Sequence, residues 1–478
     1  MCKRFLLATV MLLGSFCMKI SAQEALPPGE LTLENAIALG IKNNFDVQQS
    51  ELDMQSSKIL WRQAQLNRLP DLNAFIGHGV QQGRSIDPFT NSYINQTLRY
   101  ANYNASSNTP IFAGLSLHNQ VKQQSLAYEA SRLDLQQSKD NLTLNVILGY
   151  LDILSLEDQL LALENQYELS RQQVIRLETL DSSGAAKPYE LSDLKGAMAG
   201  NEIAIINGRN NVETAKINLC QLLNVTYSKN MTIQKISPEQ FLVPYAETSE
   251  QVYSTALQEF AMIRAAYLRK KSAEKWVKAT VGMKFPTIGF NAQAGSPISS
   301  SANNQNFINS TIVETQDYVI VNGGNSYVYK EQNNFYNWKP SYGNQLRNNI
   351  STSFSINLNI PLFNAGVAHN RTKNAKILLE SRKITETNIR TRLQQNIEQA
   401  YLNMTTAAGR HKTLLEQLAA FEESFRAADI RFNEGVVTSV DYLTVKNRRD
   451  ASEINLIIAR YDYVLRTKIL DYYQGRNR

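Results

Sequence analysis

The feature that most restricts how this chain folds is a long segment without internal proline that occurs twice. One copy opens at Pro110 and reaches Gly184, and the other opens at Pro361 and reaches Gly435, so each glycine lies 74 positions after its proline. Because proline and glycine most often interrupt helices, each segment predicts one continuous helix. About 70 residues would extend roughly 105 Å, which exceeds the depth of a globular core. The sequence therefore predicts a coiled coil, a helical repeat or the wall of a conduit.

The same order of elements surrounds both long segments, which indicates an internal duplication. A shorter helix comes first, predicted from Thr32 as its N-cap to about Asn67 and again at about 248–282. Two segments of strand period follow, then the long helix, a reversal and a returning helix. Each shorter helix and its returning partner together nearly match the long helix in length. Stacked end to end, they would cover the long helix along its whole length.

The duplication sets the predicted boundaries. Proline and the lack of a clear period mark one segment as a linker, and a stretch rich in Asn, Ser and Tyr indicates an extended extracellular loop. The predicted divisions are a leader at 1–22, a first repeat at 23–224, a linker at 225–250, a second repeat at 251–478 and, within it, the loop at 296–349.

Four segments alternate between apolar and polar residues, as strands with one apolar and one wet face do. In the clearest of them, Phe354, Ile356 and Leu358 are separated by serine and asparagine. Four strands alone would leave unpaired backbone groups in hydrocarbon, so several chains would each contribute four strands to a closed barrel. The apolar set would then face lipid and the Ser/Asn set would face water. A soluble sheet packed against helices is the alternative, because period alone does not separate the two.

The N-terminus is organised like a secretory signal peptide. Lys3 and Arg4 precede an apolar run, and Ala22 ends a small-residue cleavage site. Lipidation at Cys17 is the alternative, although bulky Phe16 precedes that cysteine. No later run of about 18 apolar residues predicts a transmembrane helix. We therefore expect an exported protein without an α-helical anchor.

Composition excludes several functional classes. A net charge of +6 over 478 residues, without a dense basic run between aromatic residues, is not typical of a nucleic-acid binder. Cys220 is the only cysteine after the leader, so we expect a buried helical thiol and no intrachain disulfide. His118 and His369 each lie eight residues after an opening proline, and we interpret them as surface residues rather than a metal site. No motif predicts a cofactor, a metal or a catalytic nucleophile, so we expect no enzyme.

Three motifs together resemble the TolC-type outer-membrane efflux protein family. They are LTLENA at 31–36, the duplicated Pro-Ile/Leu-Phe motif that leads to a glycine, and RFNEGVVTSVD at 431–441. The resemblance extends over nearly the whole mature chain. It implies a mainly α-helical homotrimer whose long hairpins form a periplasmic α-barrel below a twelve-stranded outer-membrane β-barrel.

The same resemblance implies an exit duct that docks with a periplasmic adaptor and an inner-membrane pump, in tripartite efflux or type I secretion. The protein would lie in the outer membrane of a Gram-negative cell, in contact with its lipid. A stand-alone outer-membrane porin and a periplasmic coiled-coil scaffold or adhesin are the alternatives.

Family members close the duct at the helix tips with rings of acids, and two positions here match them, with Asp193 as a further candidate. Glu190 and Asp441 each lie six residues after a tip glycine, and Asp193 follows one turn later. Three copies of a carboxylate at a constriction would attract cations and repel anions. The alternative is an ordinary acid at a helix N-terminus, favoured by the helix dipole.

The gate positions depart from the family's pattern. Phe432 stands where a tyrosine is frequent, Val437 where an arginine can lie, and Thr444 where a second acid can lie. We therefore expect a different closing contact here. The resemblance also assigns the tip turns and adaptor contact to Gly184, Gly435 and Val436. It assigns the barrel–helix junctions to Pro70, Pro110, Pro286 and Pro361.

Overall fold

In the computed structural model, the described residues are 29–86, 91–95, 97–182, 188–236 and 242–476. The predicted signal peptide, the alternative at Cys17 and the tip glycine Gly184 lie outside them. The chain divides into two compact units. The helical unit contains Met1–Ile59, Ser125–Ala273 and Leu378–Arg478, and the strand unit contains Leu60–Gln124 and Glu274–Ile377.

The described helices follow the predicted duplication. In chain order they are α1 (Leu33–Asn43), α2 (Phe45–Leu66), α3 (Ser116–Ser182), α4 (Pro188–Leu223), α5 (Ser249–Glu259), α6 (Ala261–Gly282), α7 (Tyr342–Asn348), α8 (Val367–Asn433) and α9 (Ser439–Tyr473). Helices α3 and α8 each have 67 residues, which confirms the two long helices. Among the described residues, no helix is both long and apolar enough to cross a membrane.

The prediction of one unbroken helix before each strand pair was wrong. Asn44 and Phe260 have extended backbones, with ψ of 129° and 118°, and each separates two helices. The Asn44 side-chain oxygen accepts a hydrogen bond from the amide of Asp46 at 2.9 Å and so caps α2. Phe260 packs edge-on against Tyr472 in the core of the second repeat. The same break in both repeats gives further support to the duplication.

The helical unit buries two large apolar cores, one built mainly from each repeat, and the first of them anchors the predicted linker. Tyr150 is fully buried there, and its hydroxyl donates to the carbonyls of Leu31 at 2.9 Å and Gln234 at 2.7 Å. Strand β6 (Thr232–Ile233) pairs in parallel with β1 (Glu30–Leu31). The first part of the predicted linker is therefore a packed part of the unit. Cys220 lies buried in the same core, as predicted.

The strand unit contains a four-stranded antiparallel sheet. The remaining described strands are β2 (Asn73–Gln81), β3 (Arg84–Ile86), β4 (Tyr93–Asn95), β5 (Leu98–Ala113), β7 (Thr287–Ser299), β8 (Asn304–Val321), β9 (Gly324–Trp338) and β10 (Ser351–Asn359). The order in the sheet is β10-β7-β5-β2, so each repeat contributes two strands and one edge.

The strand register confirms the predicted separation of faces. Phe354 pairs with Ala292, and Ile76 pairs with Tyr103, so the apolar members of all four strands share one face of the sheet. Directly paired residues lie on the same side of an antiparallel sheet. The opposite face carries mainly Asn, Gln, Ser and Gly, with Phe75, Leu98 and Tyr100 as exceptions.

The predicted extended loop at 296–349 has regular structure instead. Strand β7 continues to Ser299, β8 and β9 form a hairpin, and α7 follows. The hairpin turns at Asn322 and Gly323, whose φ values are +52° and +83°. Asn-Gly at positive φ is a strong hairpin signal, but the polar composition of the flanking strands masked their period.

Candidate functional site

The reversal between α8 and α9 is fixed by Gly435. Its φ of +72° is left-handed, and its amide donates to the carbonyl of Phe432 at 3.1 Å. The amide of Val436 donates to the carbonyl of Arg431 at 2.8 Å, which completes a Schellman ending of α8. The Val436 side chain is 64% exposed at this tip, at a position assigned to adaptor contact.

Asp441 belongs to a capping box at the start of α9. Its amide donates to the Thr438 hydroxyl at 3.2 Å, and its carboxylate accepts from the Thr438 hydroxyl at 2.7 Å and the Thr438 amide at 3.3 Å. The hydroxyl and amide bonds from Thr438 lower the pKa of the Asp441 carboxyl. These are the contacts of a helix N-terminal acid. Asp441 is also exposed, so capping the helix and lining a channel are compatible roles.

The acid at position 193 joins the two hairpins. Ser439, fully buried at the start of α9, donates to the Asp193 carboxylate at 2.8 Å. Glu190 lies one turn earlier in α4 and is half-exposed. The structure therefore brings Asp193 to the second reversal, a contact that the sequence alone did not indicate.

A small apolar core, here called the tip cluster, holds the hairpin ends together; it consists of Val174, Leu177, Leu194, Phe432 and Tyr442. The rings of Phe432 and Tyr442 stack with centroids 4.6 Å apart and planes 18° apart. Val437 packs against this cluster, whereas Thr444 is exposed and donates to the carbonyl of Val440 at 2.7 Å. In this structure, two of the three gate positions thus contribute packing within one chain.

Polar contacts reinforce the tip cluster from α3. Arg176 donates to the backbone carbonyl of Asn433 at 2.6 Å, and the Gln173 side-chain amide donates to the Asp429 carboxylate at 3.1 Å. Sequence reasoning missed these residues, because a polar residue on a long amphipathic helix carries no signal of its partner. Within one chain, these bonds join side chains of α3 to the end of α8. The expectation of a different closing contact remains a prediction.

Several buried polar atoms at the tip lack partners. Among the described residues, no hydrogen bond reaches the Tyr442 hydroxyl, Gln173 Oε1 or Asn433 Oδ1. An unsatisfied buried polar group costs about 1–3 kcal/mol. Burial also raises the pKa of Tyr442, which keeps its hydroxyl neutral. Among the described residues, the tip cluster therefore has buried polar atoms whose hydrogen bonds are not satisfied within one chain.

The junctions between strand and long helix repeat one backbone conformation. Gly114 and Leu115 have φ of +58° and +61°, and the equivalent Ala365 and Gly366 have +50° and +75°. A left-handed leucine or alanine is uncommon, so this double turn is a specific feature of both repeats. The long helices begin directly afterwards, at Ser116 and Val367, which is six residues later than their opening prolines.

The four junction prolines are not equivalent in detail. Pro70 and Pro286 lie between a helix end and a strand start, and Pro361 follows the end of β10. Pro110 lies inside β5, where its pairing with β7 is irregular between Pro110 and Phe112. A proline without an amide hydrogen is tolerated at such a bulge.

The surroundings of the two junctions differ. A methyl group added to Gly114 would lie 2.1 Å from the carbonyl oxygen of Gly282, so the first junction packs directly on the end of α6. At the second junction, Ala365, which is equivalent to the buried Gly114, is exposed. The neighbouring Phe363 is 88% exposed. The described chain therefore covers the first junction and leaves the second open.

Comparisons with known proteins agree with this architecture. The model of a family described as "Outer membrane efflux protein" matches residues 37–225 and 252–473. The outer membrane efflux protein BepC of Brucella suis is 20% identical over 475 residues, which cover 99% of this chain and 91% of that protein.

Solved structures with the same fold include two outer-membrane proteins. The Campylobacter jejuni CmeC outer membrane channel superposes with a TM-score of 0.73 at 13% identity, over 93% of this chain and 86% of that one. The outer membrane protein VceC of Vibrio cholerae gives 0.71 at 12% identity, over 93% and 96% of the two chains.

Proposed function

Because this chain belongs to the outer membrane efflux protein family, and is therefore an outer-membrane efflux channel, we propose that three copies assemble into one passive export duct. The duct receives its substrates from a periplasmic adaptor and an inner-membrane pump, and the pump supplies the energy. The chain itself catalyses no reaction. Its apolar strand face contacts the lipid of a Gram-negative outer membrane, its long helices extend into the periplasm, and a cleaved leader directs its export.

The observation that carries this proposal is the four-stranded sheet with one open edge from each repeat. Its edges are β2 and β10, and all neighbouring strands in the sheet are antiparallel. Strands β2 and β10 therefore run in opposite directions, so the β2 edge of one copy can pair with the β10 edge of the next. Such pairing closes a ring and removes every open edge. Three copies give twelve strands, within the range of outer-membrane barrels.

The junctions support the same assembly. Within the chain, the first junction packs on the end of a helix from the second repeat, at Gly282 and Phe285. By the duplication, the second junction packs on the equivalent helix end of a neighbouring copy, around Leu69. Leu69 is 57% exposed and free to make that contact. Ala365 carries a methyl where Gly114 has none, so the contact between copies is wider than the one within the chain.

The helix tips form the constriction. Asp441, Glu190 and Asp193 supply carboxylates from both hairpins, and three copies would concentrate negative charge around one axis. Phe432, Val437 and Thr444 belong to the closing region. The turn at Gly435, with exposed Val436, and the corresponding position of Gly184 in the sequence offer the surface that an adaptor contacts. Separation of the hairpins at the tip cluster opens the duct.

Single-channel recording in planar bilayers tests the duct directly. We expect a closed or low-conductance channel that divalent cations block, and weaker block in Asp441→Asn. Glu416→Gln, which removes an exposed acid of α8 away from the tip, serves as the control. Unchanged block by divalent cations in Asp441→Asn would mean that Asp441 does not line the constriction.

Two further outcomes separate the alternatives. Co-purification with a periplasmic adaptor supports the export duct, whereas high conductance without any adaptor supports the stand-alone porin. Solubility of the mature chain without detergent would support the periplasmic scaffold or adhesin.

A further inference from the structure

The strand unit contains a cavity of about 650 Å³ to which the proposed export function assigns no role. It lies at the strand ends away from the strand–helix junctions. Its walls come from the end of β2 at His78–Val80, the start of β5 at Arg99–Ala101, the end of β7 at Ile298–Ser299 and the segment that leads into α7.

The walls of this cavity are fixed by hydrogen bonds. Gln345 of α7 is buried, and its side chain accepts from the Ser299 amide at 2.9 Å and donates to the carbonyls of Ser299 and Pro340 at 3.1 Å. The amide of Arg99 donates to the hydroxyl of Ser300 at 3.0 Å, and the Ser300 amide donates back to the Arg99 carbonyl at 2.9 Å. The cavity is therefore formed before any ligand arrives.

Helix α7 lies against the apolar face of the sheet. The hydroxyls of Tyr342 and Tyr103 are 2.6 Å apart, and the Ser296 hydroxyl donates to the carbonyl of Leu346 at 3.0 Å. Tyr103 and Ser296 are register partners on the face that also carries Phe354. If that face contacts lipid, as proposed above, the cavity opens on the outside of the barrel, near its outer rim.

The chemistry of the lining favours an anion. Arg99 and Lys339 both line the cavity and are exposed, and no ion pair joins either of them to an acid among the described residues. No described residue of the lining is acidic. Arginine and lysine bind phosphate through charge-assisted hydrogen bonds.

Aromatic and hydroxyl groups complete the lining. The rings of His78 and Tyr342 lie nearly parallel, with planes 4° apart and centroids 6.4 Å apart. His78 Nε2 lies 3.1 Å from the Tyr103 hydroxyl, which continues the hydrogen-bonded chain to Tyr342. Aromatic faces pack against the apolar faces of sugar rings, and hydroxyls bind sugar hydroxyls. The cavity therefore combines cationic groups that bind phosphate with aromatic and hydroxyl groups that bind a sugar ring.

We propose that this cavity binds the phosphorylated sugar headgroup of an outer-leaflet lipid. The proposal rests on the proposed function in one respect, that the apolar strand face contacts the membrane. Acyl chains of such a lipid lie along that face, while the headgroup phosphate reaches Arg99 and Lys339. The site is distinct from the helix tips.

The test is retention of bisphosphorylated lipid A by the purified protein in detergent, followed by native mass spectrometry. We expect Arg99→Gln/Lys339→Gln to bind it about tenfold more weakly or worse, because two charge-assisted hydrogen bonds are lost. The matched control is Arg84→Gln/Lys330→Gln, which removes the same charge from the same unit outside the cavity, and it should bind as the unaltered protein does. Equal binding by the two double variants would overturn the proposal.

Two further measurements distinguish a lipid headgroup from a soluble sugar phosphate as the ligand. Dephosphorylated lipid A should bind at least tenfold more weakly, and glucose 1-phosphate should compete poorly because it lacks acyl chains. Glucose 1-phosphate that displaces lipid A at equal concentration would mean a soluble sugar phosphate, which contradicts the lipid assignment. Single-channel conductance is measured for every variant, so that a loss of lipid binding is distinguished from a loss of the channel. If the double variant does not conduct, Lys339→Gln alone is measured, and normal binding by a conducting Lys339→Gln would count against the site.

Discussion

The two strand–helix junctions share a motif and a backbone, yet only the first is covered by its own chain. Phe112 is 40% exposed, whereas Phe363 at the equivalent position is 88% exposed. The first junction packs on Gly282, which belongs to the other repeat. Within one chain, the first junction can pack on the helix end of the second repeat, but no third repeat follows on which the second junction could pack. We therefore expect a second copy to cover the open junction.

The helix reversals offer a second comparison between the repeats. The returning helix α9 begins with a capping box between Thr438 and Asp441. The returning helix α4 begins with Pro188, a residue suited to the first helical turn because it has no amide hydrogen to satisfy. In the second hairpin, Asp441 therefore caps its own helix. In the first hairpin, Asp193 instead accepts a hydrogen bond from Ser439 of the second hairpin.

The largest effect is expected from exchanging the junction residues. Gly114→Ala would place a methyl 2.1 Å from the Gly282 carbonyl, so the junction must open at a cost of about 3 kcal/mol or more. Urea unfolding of the purified protein measures this loss. Ala365→Gly at the equivalent position is the control and should change stability by less than about 1 kcal/mol. Similar losses for both would mean that the two junctions have the same surroundings.

The open junction should matter for assembly rather than for the fold of one chain. Phe363→Ser is expected to weaken each contact between copies by about 2 kcal/mol, because a large apolar side chain loses its burial. Light scattering in detergent reports the fraction of trimer at decreasing protein concentration. Ile320→Ser in the β8–β9 hairpin, where Ile320 is 71% exposed, is the matched control. Trimers as stable as those of the control would place Phe363 outside the interface.

Removal of the helix cap should loosen the tip of the second hairpin alone. Thr438→Ala deletes the hydroxyl that bonds Asp441, which costs about 1 kcal/mol. We expect faster amide hydrogen exchange at the start of α9 and longer openings in single-channel records. Thr387→Ala, which removes an exposed α8 hydroxyl that donates to the carbonyl of Lys383 at 3.1 Å, should change neither. Equal amide hydrogen-exchange rates in the two variants would mean that the Thr438 cap does not help to hold the tip closed.

The smallest effect is a pH dependence at the same cap. The Thr438 bonds hold the folded pKa of Asp441 below its ordinary value, so this stabilisation is present above the unfolded pKa and is lost as pH falls through the folded pKa. Urea unfolding of the unaltered protein and of Asp441→Asn should therefore differ at pH 7 and converge in acid. A difference that stays constant down to pH 3 would contradict the assignment.

Local sequence signals predicted the long elements well. The N-cap at Thr32, the two 67-residue helices and the separation of strand faces follow from capping chemistry, the lack of breakers and residue period. The breaks at Asn44 and Phe260 could not be predicted, because helix-compatible residues adopt extended backbones there to suit packing and capping in the fold. Tertiary packing overrides propensity at such positions.

The candidate sites were predicted in part. Gly435 and Asp441 follow from turn and cap patterns, and both adopt the corresponding geometry. Phe432 was singled out for the hydroxyl it lacks, but its stack on Tyr442 depends on a residue of the returning helix. The cavity beside Arg99 joins strands that are far apart in sequence to α7, within a segment predicted as a loop. Such long-range juxtapositions leave no local pattern.

The most direct test of the assembly is disulfide cross-linking between Leu69→Cys and Ala365→Cys in a Cys220→Ser background. Within one chain, a methyl added at Gly114 would lie 2.9 Å from the β-carbon of Phe285, and Leu69 and Ala365 are the equivalent positions. A contact somewhat wider than this falls in the range of about 3.5–4.5 Å that disulfides span between β-carbons. The account predicts covalent trimers on oxidation of the double-cysteine protein and none from either single-cysteine protein. Monomers that remain uncross-linked, in a protein that still conducts, would contradict it.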